Sequence, residues 1–591
     1  MAIDRTPVAP PPPGPYSVAR GALQALQALI QSCGLNIPED FLRHVEYIAF
    51  TATNPGSDGV HFPTPLKEQD AMLAIKALEA CAAAAIADLR YGGDGRRIAV
   101  DVDKTSCFLM SAYLTSIDGM GKQHPGVKQK IPDTDLNQAQ SILYRRLSAN
   151  LYETKNPGEY YHIHGSLEAT KTLEMIGLPP FNPAMTDYRT CINTIEKVVK
   201  KFTSKELDLM NVQNGQAGIP ALQWGQFLKT SHGNTLKQMP PLTANEADYK
   251  TPKDRTPPVP FDSSKGPSAS GYALRGIKVL ELCRVIAGPT IGRSLAAHGA
   301  TVLKVTSPNL PDVPFFQVDV NTGKHTTALD LRDASDRQAF EKLLEDADVL
   351  IDGYRPGALA RLGYSQSTLL DIARRRRRGF VYVAEDCFGG STGTGTTRVP
   401  GAEWAGRPGW QQIADCVTGV AWAQGKFMGL DEPVVPPFPM SDYGTGALGC
   451  VAAMIGLYNR ATQGGSWICR TSLCQYDIFL MGLGPLPQGE QRRLRKVHDA
   501  GFFDLRHSDS VDEVGRRALQ SLRRVVPHLF RRELMQKAWS TGFDGVLAWP
   551  KEAIEVEGLK VGHLRASRPN GFDRPSWEGW EVDERLRDAE N

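Results

Sequence analysis

The sequence has no apolar run long enough to cross a bilayer; the longest candidate, residues 447–457, has the length of a buried helix. No apolar core follows the opening MAIDR, which leads into prolines, so no secretory signal is expected. The ten cysteines include no C-x-x-C pair and no ligand-like His/Cys cluster. That argues against a disulfide framework and a structural zinc site, and no metal centre is expected. A dominant charge sign is also missing, because the formal net charge is only +2. No global attraction to nucleic acid or an anionic membrane follows. The expectation is a chain of a reducing compartment, the cytoplasm, with an organelle left open.

What is present is ordinary for a globular protein: 41% hydrophobic and 22% charged residues. The 591 residues exceed one core and imply about three to four modules. Residues 8–15 (VAPPPPGP) mark an extended arm, taken as 1–19. Residues 251–271 are rich in Pro, Ser and Gly, so a linker is placed at 251–272. It separates an N-terminal half (20–250, with a small domain at about 114–190) from a C-terminal half (273–485) and an extension (486–591).

The C-terminal half alternates buried-strand and helix patterns. Strands are expected at 276–282 (GIKVLEL), 301–305 (TVLKV), 348–351 (DVLI) and 380–384 (FVYVA). Helices are expected at 290–298, 333–346 and 369–378. This alternation predicts an α/β fold with a Rossmann-like parallel sheet, flanking helices and a ligand site at the carboxyl ends of the strands. An internal repeat is also legible. Residues 62–110 and 438–481 both run F-P, an acid, a small-residue helix, a Gly-rich turn, a strand and an F-L-M segment. It points to a duplicated chain, with one copy free to lose its chemistry.

Several segments, in one order, resemble the class III CoA-transferases, the family of formyl-CoA transferase, carnitine CoA-transferase and alpha-methylacyl-CoA racemase. They are GIKVLELCRVIAGP (276–289), GATVLKV (299–305), NTGKHTTALDL (321–331), YRPGALARLG (354–363), RPG (407–409) and PMSDYGTG (439–446). Residues 159–165 and 207–220 resemble later parts of the same fold, which implies a permuted or duplicated form with a smaller α+β domain. The resemblance implies transfer of CoA from an acyl-CoA to a small carboxylic acid through an aspartyl–acyl anhydride. Coenzyme A thioester is then a substrate, and no cofactor is bound permanently. The partnership implied is a homodimer or a self-completing pseudo-dimer.

Asp442 falls at the family's catalytic position. A carboxylate at a helix start is favoured by free N–H groups, and a plain N-cap is the bland alternative. Gly444 and Gly446 are expected to let an acyl group and its pantetheine arm approach the backbone. The resemblance places Arg361 and Lys324 at the CoA nucleotide, and Val285 and Ala287 in the turn whose backbone contacts CoA. For both cations the alternative is an ordinary surface residue.

Trp410 stands where the racemase branch places a proton-shuttling histidine, which counts against racemisation. Gln411 and Thr306 replace the usual acids, and Ile286 a frequent polar residue. Asp70, followed by Ala71, Met72 and Leu73 rather than glycines, is a poor second nucleophile. The alternative readings are a thioester hydrolase, an isomerase or racemase, or a non-catalytic binder of CoA esters. Arg374–Arg378 reads as a solvated helix end, and His162 and His164 share one strand face without an evident third ligand.

Overall fold

The computed structural model describes residues 16–54, 56, 58–262 and 271–580. The proline arm at 8–15 and the middle of the proposed linker, 263–270, lie outside the described residues.

Seven strands build the central sheet: β1 (Leu242–Glu246), β2 (Lys278–Leu282), β3 (Thr301–Thr306), β4 (His325–Ala328), β5 (Val349–Asp352), β6 (Val381–Asp386) and β7 (Trp467–Ser472). Their spatial order is β4-β3-β2-β5-β6-β7-β1. All neighbours are parallel except β1, which closes the edge antiparallel to β7. The four strands expected from the alternation are all present. The chain direction across the sheet reverses between β2 and β5, which opens a crevice beyond their carboxyl ends.

Five helices matter for the site: α1 (Glu68–Tyr91), α2 (Ala287–Ala297), α3 (Gln411–Thr418), α4 (Met440–Thr462) and α5 (Leu473–Gly482). α4 is buried on nearly every face, as its apolar and small-residue sequence requires. It packs against both α2 and α1. Two glycines make this possible. A Cβ on Gly444 would lie 2.0 Å from the Tyr476 ring of α5, and one on Gly446 would lie 2.4 Å from Thr290 of α2. Both glycines therefore admit protein neighbours, which corrects the expectation that they make room for the acyl group.

A smaller sheet repeats part of this pattern. Ile48–Thr51 runs parallel to Ile98–Asp101, and Ile554–Val556 closes it antiparallel. In the central sheet the parallel pair β6 and β7 is closed in the same way by β1. Each closing strand comes from the other half of the chain. A third, antiparallel sheet joins Ala149–Glu153, Tyr160–His164 and Ala217–Pro220. No helix among the described residues is long and apolar enough to cross a membrane.

The arginine run at 374–378 does structural work beyond its own helix end. Arg376 lies over the Phe380 ring and donates to the carbonyls of Leu344, Glu345 and Ala347, at the C-terminus of the helix Ala334–Asp346. A cation there suits the helix dipole.

His507 ties three regions together. Its Nε2 is 2.6 Å from Glu196 and its Nδ1 is 3.0 Å from Glu432. Burial alone would lower its pKa, but the two carboxylates outweigh burial and raise it to about 9. The folded pKa exceeds the unfolded value of about 6.5. The stabilisation is therefore full below about pH 6.5 and is lost as pH rises towards 9. His507→Gln should lower stability by on the order of 2 kcal/mol below neutral pH and by much less above pH ~9, read as urea midpoints across pH. An equal loss at both ends would refute the charged pairing.

Candidate active site

The carboxyl ends of β2, β5 and β6 each run into a loop that reaches the crevice. Arg284–Ala287 follow β2, Gly353–Pro356 follow β5, and Glu385–Cys387 sit at the end of β6. With His164–Glu168 and Trp410 they line a cleft of about 540 Å³. Asp442, in the first turn of α4, opens onto it. Val285 and Ala287 line it as well.

Two non-glycine residues with left-handed backbone flank the nucleophile candidate: Val285 (φ 68°) before α2 and Phe438 (φ 64°) before α4. For a β-branched valine this conformation is costly, so surrounding packing must hold it. The first turn of α4 is pinned next to Asp442. The Tyr443 hydroxyl donates to Asp319 at 2.6 Å and accepts from the Ala112 N–H at 2.9 Å. Arg293 pairs with Asp319 at 2.8 Å and donates to Ser111 at 2.9 Å.

The electrostatics centre on carboxyls kept from water. Burial, and then the Asp415 charge, push Asp442 well above the usual carboxylate range. Glu385, at the same cleft, is pushed up by burial and by Asp386, Asp442 and Asp352. Beneath Asp442, the Ser441 hydroxyl lies 3.0 Å from Asp415 Oδ1 and 2.8 Å from Asp477 Oδ1. One hydroxyl hydrogen cannot serve two carboxylates, so one of these acids holds a proton. Burial raises Asp415 to about 7 and Asp477 well above the usual range, in line with that count.

Cations gather at the loops after β2 and β5. Burial and the charges of Arg284 and Arg361 lower the Arg355 pKa, which places three guanidinium groups near one another. Arg284 Nη1 donates to the Pro311 carbonyl at 2.9 Å and its guanidinium covers the Tyr354 ring. None of the three forms an ion pair with a carboxylate among the described residues. Such a cluster suits a polyanion.

The residues singled out from sequence thus separate. Asp442, Val285 and Ala287 meet at the cleft. Arg361 does not line it, but it sits on the short helix Ala358–Arg361 directly after the lining residues Tyr354–Pro356, within reach of Arg355. Lys324 stands apart and is fully buried: its Nζ is 2.6 Å from Glu281 and donates to the Pro289 carbonyl at 2.6 Å. It anchors α2 to β2 and presents no charge to the cleft. Asp70 is buried and accepts from the Tyr16 hydroxyl, away from the lining.

Arg284, Arg355, Glu385 and His164 were not singled out as ligand contacts. The signal was available for the arginines, since both lie in quoted motifs at strand ends. His164 was noted only for strand alternation, yet it stacks on Trp410 at 5.6 Å and its Nε2 is 3.1 Å from Gln412. Burial lowers its pKa to about 3, so it is neutral.

Comparison with known proteins adds the family. The model of CoA-transferase family III matches residues 274–499. The acetyl-coenzyme A transferase nodX of Hypoxylon pulicicidum is 31% identical over 92% of this chain and 90% of its own length. An acyl-CoA transferase of Gibberella moniliformis is 32% identical over 72% of both chains. The succinyl-CoA–L-malate CoA-transferase beta subunit of Chloroflexus aurantiacus is 31% identical over 39% of this chain and 56% of its own. The match to nodX runs nearly end to end and the family model covers β2–β7 and α4, so this chain belongs to CoA-transferase family III.

Proposed function

We propose that this CoA-transferase moves coenzyme A from an acyl-CoA to a carboxylic acid by covalent catalysis on Asp442. The observation that carries the reading is a desolvated carboxyl, with no side-chain hydrogen bond among the described residues, open to a cleft lined by Arg284 and Arg355, with Arg361 close behind Arg355.

The chemistry balances without ATP. The Asp442 carboxylate attacks the thioester carbonyl, the C–S bond breaks, and CoA thiolate leaves behind a mixed anhydride. The thiolate attacks the aspartyl carbonyl of that anhydride, releasing the donor acid and leaving an aspartyl-CoA thioester. The acceptor carboxylate attacks this thioester, forming a new anhydride and freeing thiolate again. Thiolate then attacks the acceptor's acyl carbon, so the new acyl-CoA leaves and Asp442 is restored. A carboxylate needs no general base for this, but it gains from lost solvation. The free N–H groups at the start of α2, beside Val285 and Ala287, are suited to an oxyanion or to the CoA backbone. Arg284, Arg355 and Arg361 are assigned to the CoA phosphates. Trp410 cannot shuttle a proton, which weighs against racemisation.

We infer further that the chain is a duplicated form in which the exchanged closing strands complete a pseudo-dimer internally. The ten thiols, all buried and unpaired, suit the cytoplasm. Light scattering should give the mass of one 64.7 kDa chain; a stable dimer of interlocked chains would count against self-completion.

Asp442→Asn should lower transfer by at least about 10³-fold. Hydroxylamine added during turnover of the wild type should leave a hydroxamate on Asp442, found by peptide mass spectrometry. Turnover that survives the amide, or a hydroxamate elsewhere, would refute the assignment. Because only the carboxylate attacks, and burial raises its pKa, the burst of donor-acid release should grow as pH rises from the usual carboxylate range upwards. A burst that is flat over that rise would place the ionisation elsewhere.

A further inference from the structure

The cleft is not the only space that Asp442 borders. Its carboxyl also faces a chamber of about 80 Å³ on the other side of Val285, Ile286 and Trp410, which line both. Lys122, Arg146 and Phe316 line both this chamber and a third space of about 370 Å³, and so stand at the junction of the two. The walls of that outer space are largely apolar. Val127, Ile131, Phe315 and Phe316 belong to one hydrophobic cluster.

The junction carries spare positive charge. Lys122 and Arg146 both pair with the single carboxylate of Asp512, at 2.6 and 3.1 Å. Burial would raise Asp512, but the two cations hold it well below the usual range. Lys122 also lies 5.1 Å from the rings of both Tyr113 and Phe316. A carboxylate passing this point meets two cations, while a hydrocarbon body meets aromatic faces.

We propose that this second route is the acid side of the site, and that it takes carboxylic acids with an extended or bulky apolar body. The inference rests on the transfer reading above and deepens it. In that sequence the donor acid must leave and the acceptor enter while CoA is covalently held on Asp442, so the CoA cleft is blocked at that moment. A second opening resolves the conflict. The size and lining of the outer space fit a hydrocarbon body, whereas acetate would leave an apolar space filled with water.

The test uses the full-length protein and identity exchange, which needs no knowledge of the natural pair. Labelled decanoate is exchanged into decanoyl-CoA and labelled acetate into acetyl-CoA. Binding of each free acid is measured separately by calorimetry. The wild type should prefer decanoate over acetate in kcat/KM by at least about tenfold. Ile131→Trp and, independently, Val127→Phe should each cut that preference by at least about tenfold and weaken decanoate binding. Preference for acetate, or a preference untouched by both variants, overturns the proposal. If decanoate binds, both variants weaken that binding and neither acid exchanges, the chamber assignment stands and the transferase reading fails.

Discussion

The placement of the first turn of α4 between the two halves of the chain is the constraint on which the rest depends. A carboxylate becomes a useful nucleophile when water is stripped from it, but an unsolvated charge also tends to escape or take up a proton. Asp442 is held in place by its neighbours in sequence. Tyr443 bonds Asp319 and Ala112, Gly444 lets Tyr476 lie against the helix, and Ser441 sits on the proton-sharing pair Asp415 and Asp477. Asp319 is itself fixed by Arg293 and Ser111. The position of the proposed nucleophile is therefore set by groups from residues 111–112, 293 and 319 as well as from α4.

This arrangement gives the two sides of the site different characters. On the side of β2 and β5, Arg284, Arg355 and Arg361 have no carboxylate partners among the described residues, as expected where a polyanion rather than a protein group supplies the counter-charge. On the other side, Lys122 and Arg146 share the one carboxylate of Asp512 beside a space with a large apolar share of wall. Under the proposed route, CoA is held mainly by charge and the acid by charge and desolvation together, the two meeting at Asp442.

Much of the fold was legible in the sequence, because parallel strands buried on both faces read as short aliphatic runs between helical stretches. The runs at 276–282, 301–305, 348–351 and 380–384 became β2, β3, β5 and β6 within a residue or two. β4 and β1 were not expected: His325–Ala328 is polar and short, and Leu242–Glu246 acts only as an edge. That Asp442, Val285 and Ala287 line one cleft was legible from motif order. Lys324 was misleading, since nothing in a linear motif tells a ligand-facing lysine from one consumed by Glu281 on β2, two strands away in the sheet. Glu385 and His164 were hidden for a related reason. Each reaches the cleft because a distant segment packs beside it, and such proximity leaves no local periodicity.

The exchanged closing strands carry a consequence for how the molecule is made. Ile98–Asp101 emerges from the ribosome long before its antiparallel neighbour Ile554–Val556, which lies hundreds of residues further along the chain. Until then its edge is open to any extended peptide nearby, a hazard for newly made chains. Once closed, the same pairing ties together two segments far apart in the polypeptide. The joint is unimolecular, so dilution does not loosen it as it would a contact between separate polypeptides.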